Sequence, residues 1–310
     1  MLIKLKRKIN KCLQTVYNAV CNRPIGYIYM FHRVAPADGV LPVIDELRVS
    51  PEYFKQFLLS RSEFQFVSLD EAIDIIKEQK KINKPFCVIT FDDGYEDNYT
   101  YAYPILKALN IPFTIYVSVD LVNDHNHVWN YPLLLEKVIR KNDNLVLFDG
   151  EKITCKTVEE KNAAFIYLKH WLLSLPYNSL RENFVKVLGS YLTDDIFKED
   201  TLTWQQLQEI ADDSLCTIGS HTMSHCRLTI IDKPSLLHEL QDSKVILSER
   251  LGINVEHLSY PYGWITDVSD AAIDTAKEVG YKSGLRSFGG PVRRKDKDLF
   301  NLHRIMVNEQ

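Results

Sequence analysis

The 310-residue sequence is poor in the features that mark disulfide-rich, nucleic-acid-binding or repetitive proteins. Its six cysteines are scattered, with no CxxC pair, which argues against a disulfide framework or a zinc ribbon and favours a reducing compartment. The formal net charge is only −4, so no nucleic-acid partner is indicated. No internal repeat or low-complexity segment is present, which leaves an ordinary globular protein.

The N-terminal segment, residues 1–23, lacks the unbroken apolar core of a signal peptide and is too charged to span a membrane. We therefore expect a cytoplasmic protein. The segment is basic, and its apolar residues recur at helical spacing. Two interpretations remain open: a helix packed on the domain, or an amphipathic helix in peripheral contact with the anionic inner face of the membrane.

The central part of the chain has the pattern of a parallel α/β fold. Apolar, strand-like runs at 24–34, 85–91 and 111–118 alternate with helical stretches. Ser50 and Ser68 stand where the N-caps of two of these helices are expected. Strand, helix and strand at short intervals are typical of βαβ units, and they predict a parallel sheet.

The pattern changes between about residues 123 and 200. Asp149 and Gly150 separate two β-rich runs, as in a hairpin, and two helical stretches follow. Strand and helix patterns return after residue 200. We predict one α/β domain over 24–310 that carries a mainly helical insertion, about 123–200, which is not expected to fold alone.

The stretch VITFDDGYED, residues 88–97, ends a strand-like run in two adjacent aspartates, Asp92 and Asp93. One interpretation is structural, because Asp-Gly is a common turn and Asp93 can cap a helix. The other is chemical, because parallel α/β folds gather reactive side chains at the carboxyl ends of their strands. The residues after a second predicted strand favour the chemical interpretation.

That strand, CTIGS, is followed by HTMSH, which contains His221 and His225. Alone, such a pair is more often polar surface, but on a helical turn residues four apart share a face and could reach one ion. A carboxylate with two histidines is a recurrent metal site, suited to zinc and also to cobalt, nickel or iron. Asp93 would hold the divalent ion, and Asp92 would take a proton from water beside it.

Three motifs make the chain resemble the polysaccharide deacetylases, also called carbohydrate esterase family 4 or the NodB-homology family. They are TFDDGY at 90–95, SHTMSH at 220–225 and YPYG at 260–263, in the order typical of the family. The resemblance extends over residues 27–307 apart from the insertion. It implies an α/β fold, a distorted (β/α) barrel of fewer than eight strands, with a divalent metal ion at its mouth. Family members hydrolyse N-acetyl and sometimes O-acetyl groups on sugars.

Carried over position by position, the resemblance implies roles for five residues. Asp92 would be the general base, and Asp93, His221 and His225 would be the metal ligands. Tyr262 would donate its backbone N–H to the oxyanion of the tetrahedral intermediate.

The sequence departs from the family pattern at two kinds of residue: the arginine that normally holds the base carboxylate in place, and the general acid. The Arg-x-Pro-Tyr motif has Ser259 in place of its arginine, and the Trp-containing fourth motif has no good match. Arg304 is a candidate for the missing guanidinium. His32, within FHRV, is favoured as the general acid over His303, within NLHRI. In the alternative interpretation, His303 and Arg304 are ordinary strand-end surface.

We therefore predict a metal-dependent carbohydrate N-deacetylase that acts on an intermediate of cell-surface polysaccharide biosynthesis. A sugar nucleotide or a lipid-linked glycan fits a cytoplasmic enzyme better than a finished wall polymer does. Two alternatives remain: a metal-dependent hydrolase of another N-acyl substrate, and a catalytically inactive member of the fold that binds glycan.

Overall fold

The computed structural model describes residues 22–123, 131–147, 150–175, 177–192 and 200–309. The amphipathic helix predicted over residues 1–23 lies outside this range, except for its last two residues, Asn22 and Arg23. Within the described residues, no helix combines the length and the apolar character needed to cross a membrane.

The strands are numbered along the chain. They are β1 Pro24–Phe31, β2 Arg33–Val34, β3 Arg48–Val49, β4 Gln65–Phe66, β5 Phe86–Phe91, β6 Phe113–Val117, β7 Asn144–Val146, β8 Lys152–Thr154, β9 Cys216–Ser220, β10 His257–Ser259, β11 Ser283–Gly289, β12 Val292–Arg293 and β13 Leu302–Met306.

The α-helices are α1 Pro51–Leu59, α2 Leu69–Glu78, α3 Tyr103–Leu109, α4 Val119–Asn123, α5 Tyr131–Lys141, α6 Val158–Ser174, α7 Tyr177–Leu188, α8 Trp204–Ala211, α9 Lys233–Leu237, α10 Ser243–Leu251 and α11 Asp270–Val279. Short 3₁₀ helices cover Pro42–Leu47, Gly189–Tyr191 and Leu228–Ile230, and π-helical turns cover Asn98–Ala102 and His238–Asp242.

Seven parallel strands close into a barrel. Their order is β1, β13, β11, β10, β9, β6 and β5, and β5 pairs again with β1. This confirms the predicted distorted (β/α) barrel of fewer than eight strands. Strand β12 adds to β1 in the antiparallel direction, and β4 lies parallel beside β5.

Local sequence chemistry accounts for the elements that begin the barrel. Strand β5 is buried at all six positions, as expected for a parallel strand covered on both faces. The Ser50 side chain accepts a hydrogen bond from the backbone N–H of Tyr53, and Ser68 accepts one from Glu71, so both predicted N-caps are confirmed.

Between β6 and β9 the chain forms helices α4 to α7 and the hairpin β7–β8. The predicted hairpin is present as an antiparallel pair that places Leu145 opposite Ile153. The buried side chains of this region form a hydrophobic cluster of their own, which also includes Leu41, Ile44 and Tyr95 from earlier in the chain. The region therefore packs directly on the loops at one end of the barrel.

Candidate active site

Six of the predicted site residues line one cavity at the carboxyl ends of the barrel strands. The cavity has a volume of about 230 Å³. The six residues are His32, Asp92, Asp93, His221, His225 and Tyr262. We call this space the central cavity. Arg304 contacts one of these residues from inside the barrel, and His303 is not among the lining residues.

A sharp turn after β5 sends the two adjacent aspartates in different directions. Asp93 and Gly94 both have left-handed backbone conformations, with φ of 73° and 76°. As a result the Asp92 carboxylate faces Arg304, whereas the Asp93 carboxylate faces the two histidines. Each of the two like charges therefore has its own nearest partners, and His221 Nε2 also lies 4.0 Å from Asp92 Oδ2.

The Asp93 carboxylate and the two histidine rings form a compact cluster. One ligand atom from each residue lies within 4.8 Å of the other two, and all three residues are buried. The Nε2 atoms of His221 and His225 lie 3.4 Å and 3.2 Å from Asp93 Oδ1. His221 Nδ1 donates to the carbonyl oxygen of Ser259 at 2.8 Å, which aims Nε2 at the cluster.

These residues fit a divalent metal ion. Asp93 Oδ1 is buried without a hydrogen-bond partner, as expected for an oxygen kept for an ion. Burial alone would raise the pKa of Asp93, but His225 and His221 hold it well below its usual value. Two imidazoles with one carboxylate are ligands that zinc and its neighbours in the first transition row accept, and three ligands leave positions open.

The local structure that brings the two histidines together differs from the predicted helical turn. Residues 221–227 form a loop rather than a helical turn, so the four-residue helical spacing is not the cause. Thr222 and His225 have left-handed φ values of 69° and 61°, which fold the loop back on itself. For the β-branched Thr222 this conformation is strained, and such strain is concentrated at functional sites.

Glu239 holds this loop in place, and sequence reasoning missed it. Its buried carboxylate accepts hydrogen bonds from the backbone N–H groups of Met223 and Ser224, each at 3.0 Å, and from the Ser224 hydroxyl at 2.6 Å. A signal was present: Glu239 lies beside Leu240 and three residues after Leu236, on the apolar face of its helix. A carboxylate on an apolar face indicates a buried partner.

Arg304 supplies a guanidinium to Asp92. Its Nη1 and Nη2 atoms donate to Asp92 Oδ1 and Oδ2 at 2.7 Å and 2.6 Å, and the side chain is fully buried. The Ser259 hydroxyl lies between the two, accepting from Arg304 at 2.8 Å and donating to Asp92 at 3.2 Å. Burial would raise the pKa of Asp92, but Arg304, with His221 and His32, lowers it below its usual value, so the carboxylate stays ionised.

His32 follows β1 at the edge of the central cavity. Asn98 fixes its backbone by donating to the His32 carbonyl oxygen at 2.9 Å. The ring Nδ1 is buried and has no hydrogen-bond partner in the described structure. Burial lowers the pKa of His32 below its ordinary value, against the opposing charges of Asp93 and Asp92, so a proton on this ring is readily released.

His303 lies on the other face of β13. Because successive strand residues point to opposite faces, the barrel-facing Arg304 places His303 outside. The His303 ring stacks on Phe288, with 6.4 Å between ring centroids. Of the two histidines considered as the acid, only His32 lines the central cavity.

Tyr262 lines the cavity beside the histidine cluster. Its backbone is left-handed, with φ of 61°, and its carbonyl oxygen accepts a hydrogen bond from Ser287. Its ring packs edge-on against His225, with 5.0 Å between centroids, and under the Arg227 guanidinium. The contacts on both sides fix the position of the Tyr262 backbone in the cavity wall.

Other cavity-lining residues come from elements that sequence reasoning did not connect with the site. These cavity-lining residues are Ile44, Leu47, Leu133, Glu136, Phe165 and Lys169. The last four belong to helices α5 and α6, within the predicted insertion. The sequence offered no signal for this contact, because the insertion folds back on the barrel through long-range packing.

Known proteins are similar to this chain in sequence and in fold. Residues 79–284 match the family described as polysaccharide deacetylase. The chain is 22% identical over 283 residues to YxkH of Bacillus subtilis (strain 168), a predicted polysaccharide deacetylase, covering 91% of this chain and 71% of that protein.

Two solved structures show the same fold at low sequence identity. The Streptococcus pyogenes deacetylase PplD in complex with acetate has a TM-score of 0.63 and 20% identity, over 92% of this chain and 94% of that one. IcaB from Ammonifex degensii has a TM-score of 0.61 and 17% identity, over 92% and 93%. Because the family match covers more than half of the sequence and includes Asp92, Asp93 and both histidines, the chain belongs to the polysaccharide deacetylase family.

Proposed function

We propose that this protein is a metal-dependent carbohydrate N-deacetylase that hydrolyses the acetyl amide of an N-acetylated sugar. The observation that carries the proposal is the pairing of two carboxylates with separate partners in one cavity. Asp92 is held ionised by Arg304, and Asp93 lies in a cluster with two histidines. A general base beside a metal site is an arrangement well suited to amide hydrolysis by water.

The metal site would consist of Asp93, His221 and His225. When bound there, a divalent ion would lower the pKa of water and polarise the acetyl carbonyl. Zinc suits these ligands best, and cobalt, nickel and iron are the alternatives.

Asp92 would accept the proton of the attacking water. Its low pKa and its two hydrogen bonds from Arg304 keep it unprotonated and fix the direction of its free lone pairs. Water oxygen adds to the acetyl carbon as its proton passes to Asp92. The backbone N–H of Tyr262 would donate to the oxyanion that forms.

His32 would protonate the leaving amine. The C–N bond of the tetrahedral intermediate breaks as the nitrogen takes the proton, which yields acetate and the free amino sugar. His32 is suited to this role because it lines the cavity on a backbone fixed by Asn98.

Replacing His32 by alanine should lower kcat by about 10²- to 10⁴-fold, the usual effect of losing a positioned acid. His303→Ala should change kcat much less, because its ring stacks on Phe288 and is not part of the cavity lining. Steady-state kinetics of both variants on one N-acetyl sugar measure the difference. The reverse ranking would move the acid to β13.

The reaction itself is tested with a panel of N-acetyl, N-formyl and O-acetyl sugars. We expect acetate and a free amine from an N-acetyl sugar. Preferred release of formate would support the alternative hydrolase of another N-acyl group. Sugar binding without release of any acid would support the inactive glycan-binding alternative.

We further propose that the substrate is a biosynthetic intermediate, either a sugar nucleotide or a lipid-linked glycan, processed in the cytoplasm at the inner face of the membrane. Support comes from the five basic residues among the first eleven of the sequence and from the apolar residues at helical spacing between them. Co-sedimentation of the full chain with anionic vesicles tests the membrane contact. Binding should weaken as salt is raised, because the Debye length falls from about 10 Å at 0.1 M to about 3 Å at 1 M.

A further inference from the structure

Helices α5 and α6 of the insertion form one wall of the active site. Leu133 on α5 and Phe165 and Lys169 on α6 line the same central cavity as the metal cluster. The cavity volume of about 230 Å³ is below the roughly 300–1,000 Å³ of common ligand sites. Such a space holds the end of a substrate rather than a continuous run of polymer.

This wall is rigidly attached to the barrel. Arg33 lies shortly after β1. Its guanidinium pairs with Asp97 at 2.7 Å, with Glu136 on α5 at 3.4 Å and with Asp200 at 3.5 Å. The buried Lys161 ammonium on α6 donates to the carbonyl oxygens of Ile139, Arg140 and Asn142 at the end of α5. These contacts fix α5 and α6 against each other and against the site.

The carboxylates that line the cavity already have partners. Asp92 is paired with Arg304, and Asp93 belongs to the histidine cluster. Glu136 pairs with Arg140 at 2.8 Å and with Arg33. Among the residues that the structure describes, no carboxylate lining the cavity is therefore left to balance a further positive charge.

Lys169 brings such a charge. Its side chain is half-buried, and its ammonium lies 5.7 Å from the centre of the Phe165 ring. It forms no hydrogen bond or ion pair with any residue in the part of the chain that the structure describes. An ammonium beside apolar walls, partly removed from water, attracts a negatively charged group strongly.

We propose that Lys169 binds an oxyanion group, phosphate or carboxylate, carried by the N-acetylated sugar, so that the insertion selects charged substrates. This rests on the proposed function, because the sugar must place its acetyl group at Asp92 and Asp93. A small cavity that contains both a cation and the reacting groups fits a sugar whose charge lies close to its acetyl group.

The test compares Lys169→Gln with the wild-type chain on three sugars: the neutral methyl glycoside of N-acetylglucosamine, N-acetylglucosamine 1-phosphate, and N-acetylmuramic acid, which carries a carboxylate. We expect KM for at least one anionic sugar to rise about tenfold, equivalent to about 1.4 kcal/mol. KM for the neutral sugar and kcat for all three should stay unchanged. Lys169→Arg, which keeps the positive charge, should retain the preference for anionic sugars. Lys152→Gln, at an exposed position of the same insertion, should change KM for none of the three sugars.

An equal rise of KM for neutral and anionic sugars would overturn the proposal, as would a wild-type enzyme that shows no preference for an anionic sugar. Titration calorimetry distinguishes failure of the Lys169 proposal from failure of the proposed deacetylase function. Asp92→Asn is used as a non-reacting background, and the binding of N-acetylglucosamine 1-phosphate is measured with and without Lys169→Gln. Weaker binding in the double variant supports the role of Lys169 even if no sugar is deacetylated, and equal binding contradicts it.

Discussion

Asp92→Asn should lower kcat by about 10⁴-fold, near the upper end of the range for loss of a general base, while metal binding is retained. The amide cannot accept a proton from water, yet it keeps nearly the shape of the carboxylate. The metal ligands should stay in place, because Asp93 and the histidines contact one another and His221 Nε2 lies 4.0 Å from Asp92 Oδ2, beyond hydrogen-bond distance. Acetate release and metal content are measured on the same purified variant.

Asp93→Asn serves as the matched control for this substitution, since it makes the same chemical change one residue further on. It should lose metal together with activity. An Asp92→Asn enzyme with near-normal turnover would show that another group accepts the proton. Loss of metal from Asp92→Asn would place Asp92 among the ligands instead.

Arg304→Leu should lower the free energy of unfolding by about 3–5 kcal/mol, because it leaves the buried Asp92 without its countercharge. Activity should fall as well, since the pKa of Asp92 is depressed chiefly by Arg304 against the effect of burial. Urea unfolding followed by circular dichroism measures the loss of stability. Arg304→Lys keeps the charge but not the bidentate hydrogen-bond geometry, and it should lower the free energy of unfolding less than Arg304→Leu does.

A second substitution distinguishes support of Asp92 from general packing. Ser259 touches both members of the ion pair and occupies the motif position at which an arginine is expected. Ser259→Arg combined with Arg304→Ser should therefore recover part of the activity lost in Arg304→Ser alone. If the double variant is no more active than the single one, the guanidinium at 304 has a role that position 259 cannot supply.

Much of the barrel and its reactive residues could be predicted from local sequence. The buried strand β5 and the Asp92–Asp93 pair that follows it are adjacent in the chain, so one short stretch carries both signals. Arg304 was a candidate because Ser259 leaves a gap in a recognisable motif. The structure shows the contact that this substitution permits: a serine is small enough for an arginine from β13 to reach the aspartate.

The remaining features depend on contacts between distant parts of the chain. The histidine loop bends through left-handed residues, which a helical spacing rule cannot anticipate. Its support by Glu239 and the approach of Lys169 to the cavity both need the packing of whole helices. The roles proposed for Tyr262 and His32 also stay predictions until kinetics test them.

The central claim is that Asp93, His221 and His225 hold a metal ion on which deacetylation depends. The most direct measurement is acetate release from an N-acetyl sugar by chelator-treated protein as zinc is added back, with metal content determined on the same samples. The account predicts no release without metal and recovery in proportion to binding, complete at a single ion per chain, with His221→Ala neither binding nor recovering. Full acetate release by the metal-free protein, or stoichiometric binding without any release, would contradict it.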